Sequence, residues 1–191
     1  IISTKYGGPD VLELQEVTLP LPKDDEIRVK VYASTATRAG SMMRTGKPYI
    51  GRLFMGFSKP KHPIPGTNFA GIVSSVGKDV NLFKVGDSVF GENIDTFGAH
   101  AEFICVPQNG IVAHIPKKMN FKEAAGLCDG ALTSMNFLKN VGQLKKGQHI
   151  LINGASGSLG LSAVQLAKTK GAVVTGVCSR KNMELVKSMG A

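Results

Sequence analysis

Cysteine is scarce in this chain: Cys105, Cys128 and Cys178 are odd in number and far apart. They form neither a disulfide framework nor a C-x-x-C metal clip, and such usage fits a reducing compartment, so a cytoplasmic location is expected. Long hydrophobic runs are also missing. The longest stretch free of Asp, Glu, Lys and Arg, Gly147 to Ala167, is interrupted by Gln148, His149, Asn153, several Ser and repeated Gly, which makes a poor membrane span. The opening Ile-Ile-Ser-Thr-Lys carries no signal-peptide pattern, and the lack of an initiator Met points to residues missing ahead of it. Pro and Gly, 9 and 23 in number, are too few and scattered for a fibre or low-complexity tract. None of Tyr6, Tyr32 and Tyr49 has a Lys four residues on, so the Tyr-x-x-x-Lys pair of a short-chain-type dehydrogenase is absent.

What is present suits a folded core. The 191 residues are 42% hydrophobic and 19% charged, which excludes a disordered chain and allows one large or two small domains. The net charge is +9, and no acidic residue lies between Glu26 and Asp79, where nine Lys and Arg fall: Arg28, Lys30, Arg38, Arg44, Lys47, Arg52, Lys59, Lys61 and Lys78. Such asymmetry attracts phosphates, nucleic acid or anionic lipid, or is simply solvated. No aromatic-rich basic element of an RNA-recognition motif is present, which disfavours nucleic acid.

Two patterns divide the chain. From Glu26 to Thr35, Ile27, Val29, Val31 and Ala33 alternate with polar residues, the period of a strand with one buried face. Shorter strands are expected at Gly71 to Val76, Ser88 to Phe90, Ala101 to Val106 and Ile111 to Ile115, separated by Gly and Pro turns. They suggest a partly open β-barrel. Beyond Pro116, Ala124, Leu127, Cys128, Ala131, Leu132, Met135 and Leu138 recur three or four apart, predicting one buried-faced helix over 121–141. Strand His149 to Asn153, helix Ser158 to Lys170, strand Ala172 to Cys178 and helix Asn182 to Met189 then imply parallel pairing by a right-handed crossover. The domains are accordingly set at 1–118 and 119–191. A doubly wound sheet normally has more strands than these two, so this piece alone is expected to make an incomplete active site.

The chemistry is expected at Gly154-Ala155-Ser156-Gly157-Ser158-Leu159-Gly160, between an apolar strand and an amphipathic helix. Glycines let the backbone approach a pyrophosphate, and the following helix offers unpaired N–H groups. Ala155 departs from the strict G-x-G-x-x-G, and a turn without a binding role is the alternative. The second strand ends Ser179-Arg180-Lys181 with no carboxylate for a ribose 2′-hydroxyl. Guanidinium and ammonium groups there suit a 2′-phosphate, which favours NADP(H) over NAD(H), unless both are merely solvent-facing.

Pro65-Gly66-Thr67-Asn68-Phe69-Ala70-Gly71, Val85-Gly86-Asp87 to Gly91, Phe97-Gly98-Ala99-His100-Ala101-Glu102, Ala124-Ala125, Leu132-Thr133, and Leu151 to Gly160 with Gln165 to Lys168 follow one another in this order. The set resembles the medium-chain dehydrogenase/reductase superfamily, in its zinc-independent, quinone-oxidoreductase-like branch. The resemblance covers nearly the whole chain. It implies an α/β protein with a GroES-like partly open barrel followed by the first part of a Rossmann domain, the substrate between them, and homodimers formed through the far edge of the Rossmann sheet.

The same resemblance shapes the site. The zinc branch places His and an acid where this chain has Thr67 and Asn68, and its Cys near Ala36 to Gly40 and its four-Cys lobe are missing. His62, His100, His114 and His149 are scattered, so no metal is expected. Quinone-reductase relatives often carry Asn, Asp, Tyr and Arg at the positions of Thr37, Gly40, Met42 and Arg44; only Arg44 matches. Arg44 orients an oxygen of substrate or cofactor, or is a surface charge. Thr37 is the other candidate catalytic residue, and Thr133 is placed at the nicotinamide end of the cofactor. Met42, Met43, Leu53, Phe54, Met55 and Phe57 read as a hydrophobic substrate entrance or, with slight preference, as ordinary packing.

The function expected is an NADPH-dependent, metal-free reductase of a quinone, activated alkene or carbonyl. The rival is a catalytically silent nucleotide-binding relative recruited to RNA or an anionic surface.

Overall fold

The alternation beginning at Ile27 is realised as β1 (Glu26–Ser34), whose Ile27 and Val29 are buried while Lys30, Tyr32 and Ser34 face solvent. In the computed structural model, which describes residues 1–191, the chain divides into two units, Ile1–Gly126 and Leu127–Ala191. In the first unit β1 lies between β2 (Asn68–Val76) and β4 (Phe103–Pro107). The strand β3 (Ser88–Glu92) joins β2 to β5 (Ile111–His114), all antiparallel, in the order β4-β1-β2-β3-β5. Register shifts between Arg28 and Val29 and between Val31 and Ala33 bend β1, and such bulges increase local twist. The sheet curls without closing, because β4 and β5 remain its two edges. Ile27, Val29, Phe69, Val73, Val89 and Ile104 fill its concave core.

Two local expectations require correction. Residues 38–55, for which no helix is expected, form the helix α1 (Arg38–Thr45) and the short α2 (Arg52–Met55). Neither buries a residue, so no apolar stripe marks them. The single helix expected over 121–141 is broken. A short α3 (Phe121–Ala125), closed by a reciprocal Asn120–Glu123 capping box, packs Ala124 and Ala125 beside Ala70. Wide π-type turns at Cys128–Leu132 and Phe137–Val141 then flank α4 (Thr133–Asn136). Each such turn shifts the helical register, so Leu127, Leu132 and Met135 are turned partly outward while Cys128, Ser134 and Leu138 are buried.

The second unit pairs β6 (His149–Asn153) in parallel with β7 (Val173–Val177), linked by α5 (Ser158–Thr169). Ile152, Ala155, Val164, Ala167, Val174 and Val186 make its core, Val186 coming from α6 (Met183–Ser188). Parallel pairing through a helix places the C-terminal ends of both strands on the same side as the N-terminus of α5.

Candidate functional site

The glycine turn is built as a strand-to-helix connection with an open rim. Gly154 adopts φ +75 with no atom within 4 Å of a would-be Cβ, so its left-handed backbone serves the bend rather than packing. Gly160 serves close approach: a Cβ there would strike the Gly154 carbonyl and the Ala155 backbone. Ala155 itself is fully buried in the core of the unit, its N–H donating to the Val177 carbonyl at 2.9 Å. The departure from the glycine fingerprint at this position is therefore a packing residue, aimed away from the rim.

No side chain caps α5; its N-cap is Gly157. The amides of Ser158, Leu159 and Gly160 receive no backbone or side-chain acceptor, while Ser158, Leu159 and Gly157 are exposed. Unpaired N–H groups and the positive end of the helix dipole are the donor set a phosphate requires. The residues present thus fit a dinucleotide.

The end of β7 is tied to this turn. The Asn182 side-chain amide donates to Ser156 Oγ at 3.1 Å and lies 3.2 Å from Ser179 Oγ. Between those points Arg180 and Lys181 form one exposed 3-10 turn. Neither enters an ion pair, and the next carboxylate along the chain, Glu184, is engaged by Lys187 at 3.2 Å. Two unneutralised cations therefore stand beside the turn. Thr133 opens α4, half-buried, next to buried Ser134, whose hydroxyl donates to the Leu159 carbonyl at 2.8 Å. Neither Asn182 nor Ser134 stood out in the sequence.

The first unit contains a separate cleft of about 50 Å³, lined among others by Thr35, Thr37, Arg44, Thr67, His62 and His100. Thr37 Oγ accepts the Gly40 N–H at 3.0 Å and so caps α1. Arg44 donates to the Gly7 carbonyl at 2.7 Å and accepts the Gly7 N–H on its own carbonyl at 3.1 Å. His100 Nε2 meets the Thr35 carbonyl at 3.0 Å, and His62 sits edge-on to Phe97. Thr35 Oγ is buried without a partner, as is the side-chain amide of Asn68, whose oxygen accepts the Thr67 hydroxyl at 3.1 Å. Buried polar groups left unmatched are costly, about 1–3 kcal/mol each, and Thr35 is a lining residue of the cleft. Residues as distant as 35 and 100 give no local signal of this convergence.

The expectation of ordinary packing for the apolar segment holds only in part. Met43 and Met55 line the cleft, but Leu53, Phe54 and Phe57 are exposed. No three His, Cys, Asp or Glu side chains converge as a metal site would require, and Thr67 and Asn68 bond to each other. Burial, with the charge of Glu26 second, pushes the Cys105 thiol up to about 11.

Residues 23–117 match the family described as the alcohol dehydrogenase GroES-like domain. Over 191 aligned residues the chain is 34% identical to a quinone oxidoreductase of Sus scrofa, covering 98% of this chain and 55% of the relative. A quinone oxidoreductase structure from Coxiella burnetii superposes with TM-score 0.89 at 29% identity, over 100% of this chain and 59% of that one. An Escherichia coli quinone oxidoreductase complexed with NADPH superposes with TM-score 0.85 at 30% identity, over 100% and 56%. The chain spans about half the length of the curated relatives it matches.

Proposed function

The chain belongs to the quinone-oxidoreductase-like branch of the medium-chain dehydrogenase/reductase superfamily, and on that premise we propose that it serves an NADPH-dependent reduction of a quinone, activated alkene or carbonyl compound. The observation that carries this reading is the Asn182 bridge, which joins the uncapped start of α5 to the acid-free Arg180-Lys181 turn. Amides of Ser158, Leu159 and Gly160 would hold the pyrophosphate, with Ser156 and Ser179 beside them. Arg180 and Lys181 would take the 2′-phosphate, Arg through two parallel hydrogen bonds. Thr133 would lie toward the nicotinamide. When bound, NADPH supplies the hydride. The complex reported for the Escherichia coli relative supports a nicotinamide cofactor of this kind.

On the substrate side, the unpartnered Thr35 hydroxyl would donate to an oxygen that gains charge during reduction. Thr37 and Arg44 would act by shaping the cleft, since each already spends a hydrogen bond on the backbone. The donor set at Thr67 and Asn68 suits hydrogen bonding and lacks the ligand chemistry of zinc, so we read the reduction as metal-free, in a reducing cytoplasmic setting and on a small apolar substrate.

That commitment of Thr37 and Arg44 also favours a second reading, a nucleotide-binding protein without turnover that attaches to RNA or an anionic surface. Assay of the intact protein for NADPH oxidation over a panel of quinones and enones separates the two. Turnover with any member supports the reductase. NADPH binding with no turnover, together with salt-sensitive RNA binding, supports the second reading.

A further inference from the structure

The segment from Lys47 to Lys61 is clamped to the body of the first unit while holding its apolar side chains in water. Leu53 is 69%, Phe54 84% and Phe57 80% exposed, with Tyr49 and Ile50 exposed beside them. The clamp uses polar groups. Arg52 lies over the rings of Tyr6 and Tyr49 at 4.4 and 4.9 Å and donates to the Gly46 carbonyl at 3.1 Å. The Tyr6 hydroxyl donates to the Gly56 carbonyl at 2.6 Å, and within the segment the Lys61 N–H closes on the Met55 carbonyl at 2.7 Å. A guanidinium turned inward beneath apolar groups turned outward reverses the usual surface arrangement. An exposed cluster of this kind marks an interaction surface.

Its surroundings specify the partner. Lys47, Lys59 and Lys61 are exposed around it, and no Asp or Glu falls anywhere between Glu26 and Asp79. Two copies meeting through this face would oppose like charges at the rim. A bilayer with anionic head groups matches both parts: phosphates for the lysines, and the acyl boundary for protruding aromatic and aliphatic groups.

We propose that this knuckle docks the protein on an anionic lipid bilayer, with Leu53, Phe54 and Phe57 entering the interface and Lys47, Lys59 and Lys61 facing lipid phosphates. Met55 and Pro60 of the same segment line the cleft of the first unit. Docking therefore brings that cleft to the phase in which apolar quinones dissolve; this consequence rests on the reductase reading, whereas the docking itself does not.

Co-sedimentation of the intact protein with phosphatidylcholine vesicles, with and without phosphatidylserine, tests it. The expected result is binding that requires phosphatidylserine, weakens with salt, and falls about tenfold or more in Phe54→Ser/Phe57→Ser. Leu14→Ser, an equally exposed change elsewhere, should bind as wild type. Phe54→Trp adds a reporter at the patch, and its emission, read as the difference from the unsubstituted protein, should shift to the blue on phosphatidylserine vesicles. Absence of phosphatidylserine-dependent binding, or undiminished binding by the double variant, overturns the proposal. Self-association that the double variant abolishes overturns it too, by identifying a second copy as the occupant. NADPH binding by the same preparation keeps a failed docking distinct from a failed reductase reading.

Discussion

The side-chain amide of Asn182 stands 3.1 Å from Ser156 Oγ, joining the glycine turn after β6 to the residues that follow β7. Together with the Ala155–Val177 backbone bond at 2.9 Å, it holds the Gly154–Gly160 turn against the Arg180-Lys181 turn, the two segments proposed above to share one ligand. Asn182→Ala is expected to weaken NADPH binding by about fivefold, corresponding to about 1 kcal/mol of lost hydrogen bonding. Fluorescence titration measures it, and the unfolding midpoint should change little because Asn182 is only half-buried.

Gly160→Ala places a methyl group against the Gly154 carbonyl. A backbone contact cannot yield as a flexible side chain does, so the turn itself must move. Urea unfolding should show a loss of about 2 kcal/mol, with NADPH binding lost as well. Wild-type stability and binding in this variant would show that the turn is looser than the geometry requires.

Thr37→Ala removes the cap of α1, and the expected cost is about 1 kcal/mol. Thr37→Ser keeps the accepting oxygen and should restore most of it. If Thr37→Ala instead leaves stability unchanged and lowers kcat alone, the hydroxyl acts on the substrate and the capping role is secondary.

Cys105 is held protonated by burial and by Glu26, its thiol raised from 9.0 to about 11. At pH 8 about one thiol in a thousand is then ionised, so iodoacetamide should leave Cys105 unlabelled in the folded protein and label it after denaturation. The shift also sets a sign for stability. The contribution is intact below pH 9 and is lost as the pH climbs toward 11, because the unfolded thiol ionises first. Cys105→Ser should flatten that alkaline slope.

The parts legible in the sequence are those dominated by short-range pattern. Ile27, Val29 and Val31 announce β1 because one face of a strand is buried, and Gly154 to Gly160 announce a tight strand-to-helix turn because its glycines lie between a strand and a helix. The helix α1 leaves no sequence pattern because Arg38, Ser41 and Arg44 form no apolar stripe, its fold being secured by the Thr37 cap and the Arg44–Gly7 pair. The stripe from Ala124 to Leu138 was misleading, since Gly130 packs directly against Ser158 and Ser162 and wide turns reset the register. The cleft around Thr35, Thr67 and His100 depends on contacts across the sheet that no local spacing encodes. The sequence leaves Phe54 and Phe57 open between a substrate entrance and packing because apolar content says nothing about which way a clamped segment turns.

Titration of the intact protein with NADPH and NADH, alongside Arg180→Glu/Lys181→Glu, tests the account most directly. Wild type should bind NADPH at least about tenfold more tightly, as expected for a charge-assisted phosphate pair, and the charge-reversed variant should lose that preference while still binding NADH. Equal affinities in wild type, or a preference unmoved by reversing both charges, would contradict it.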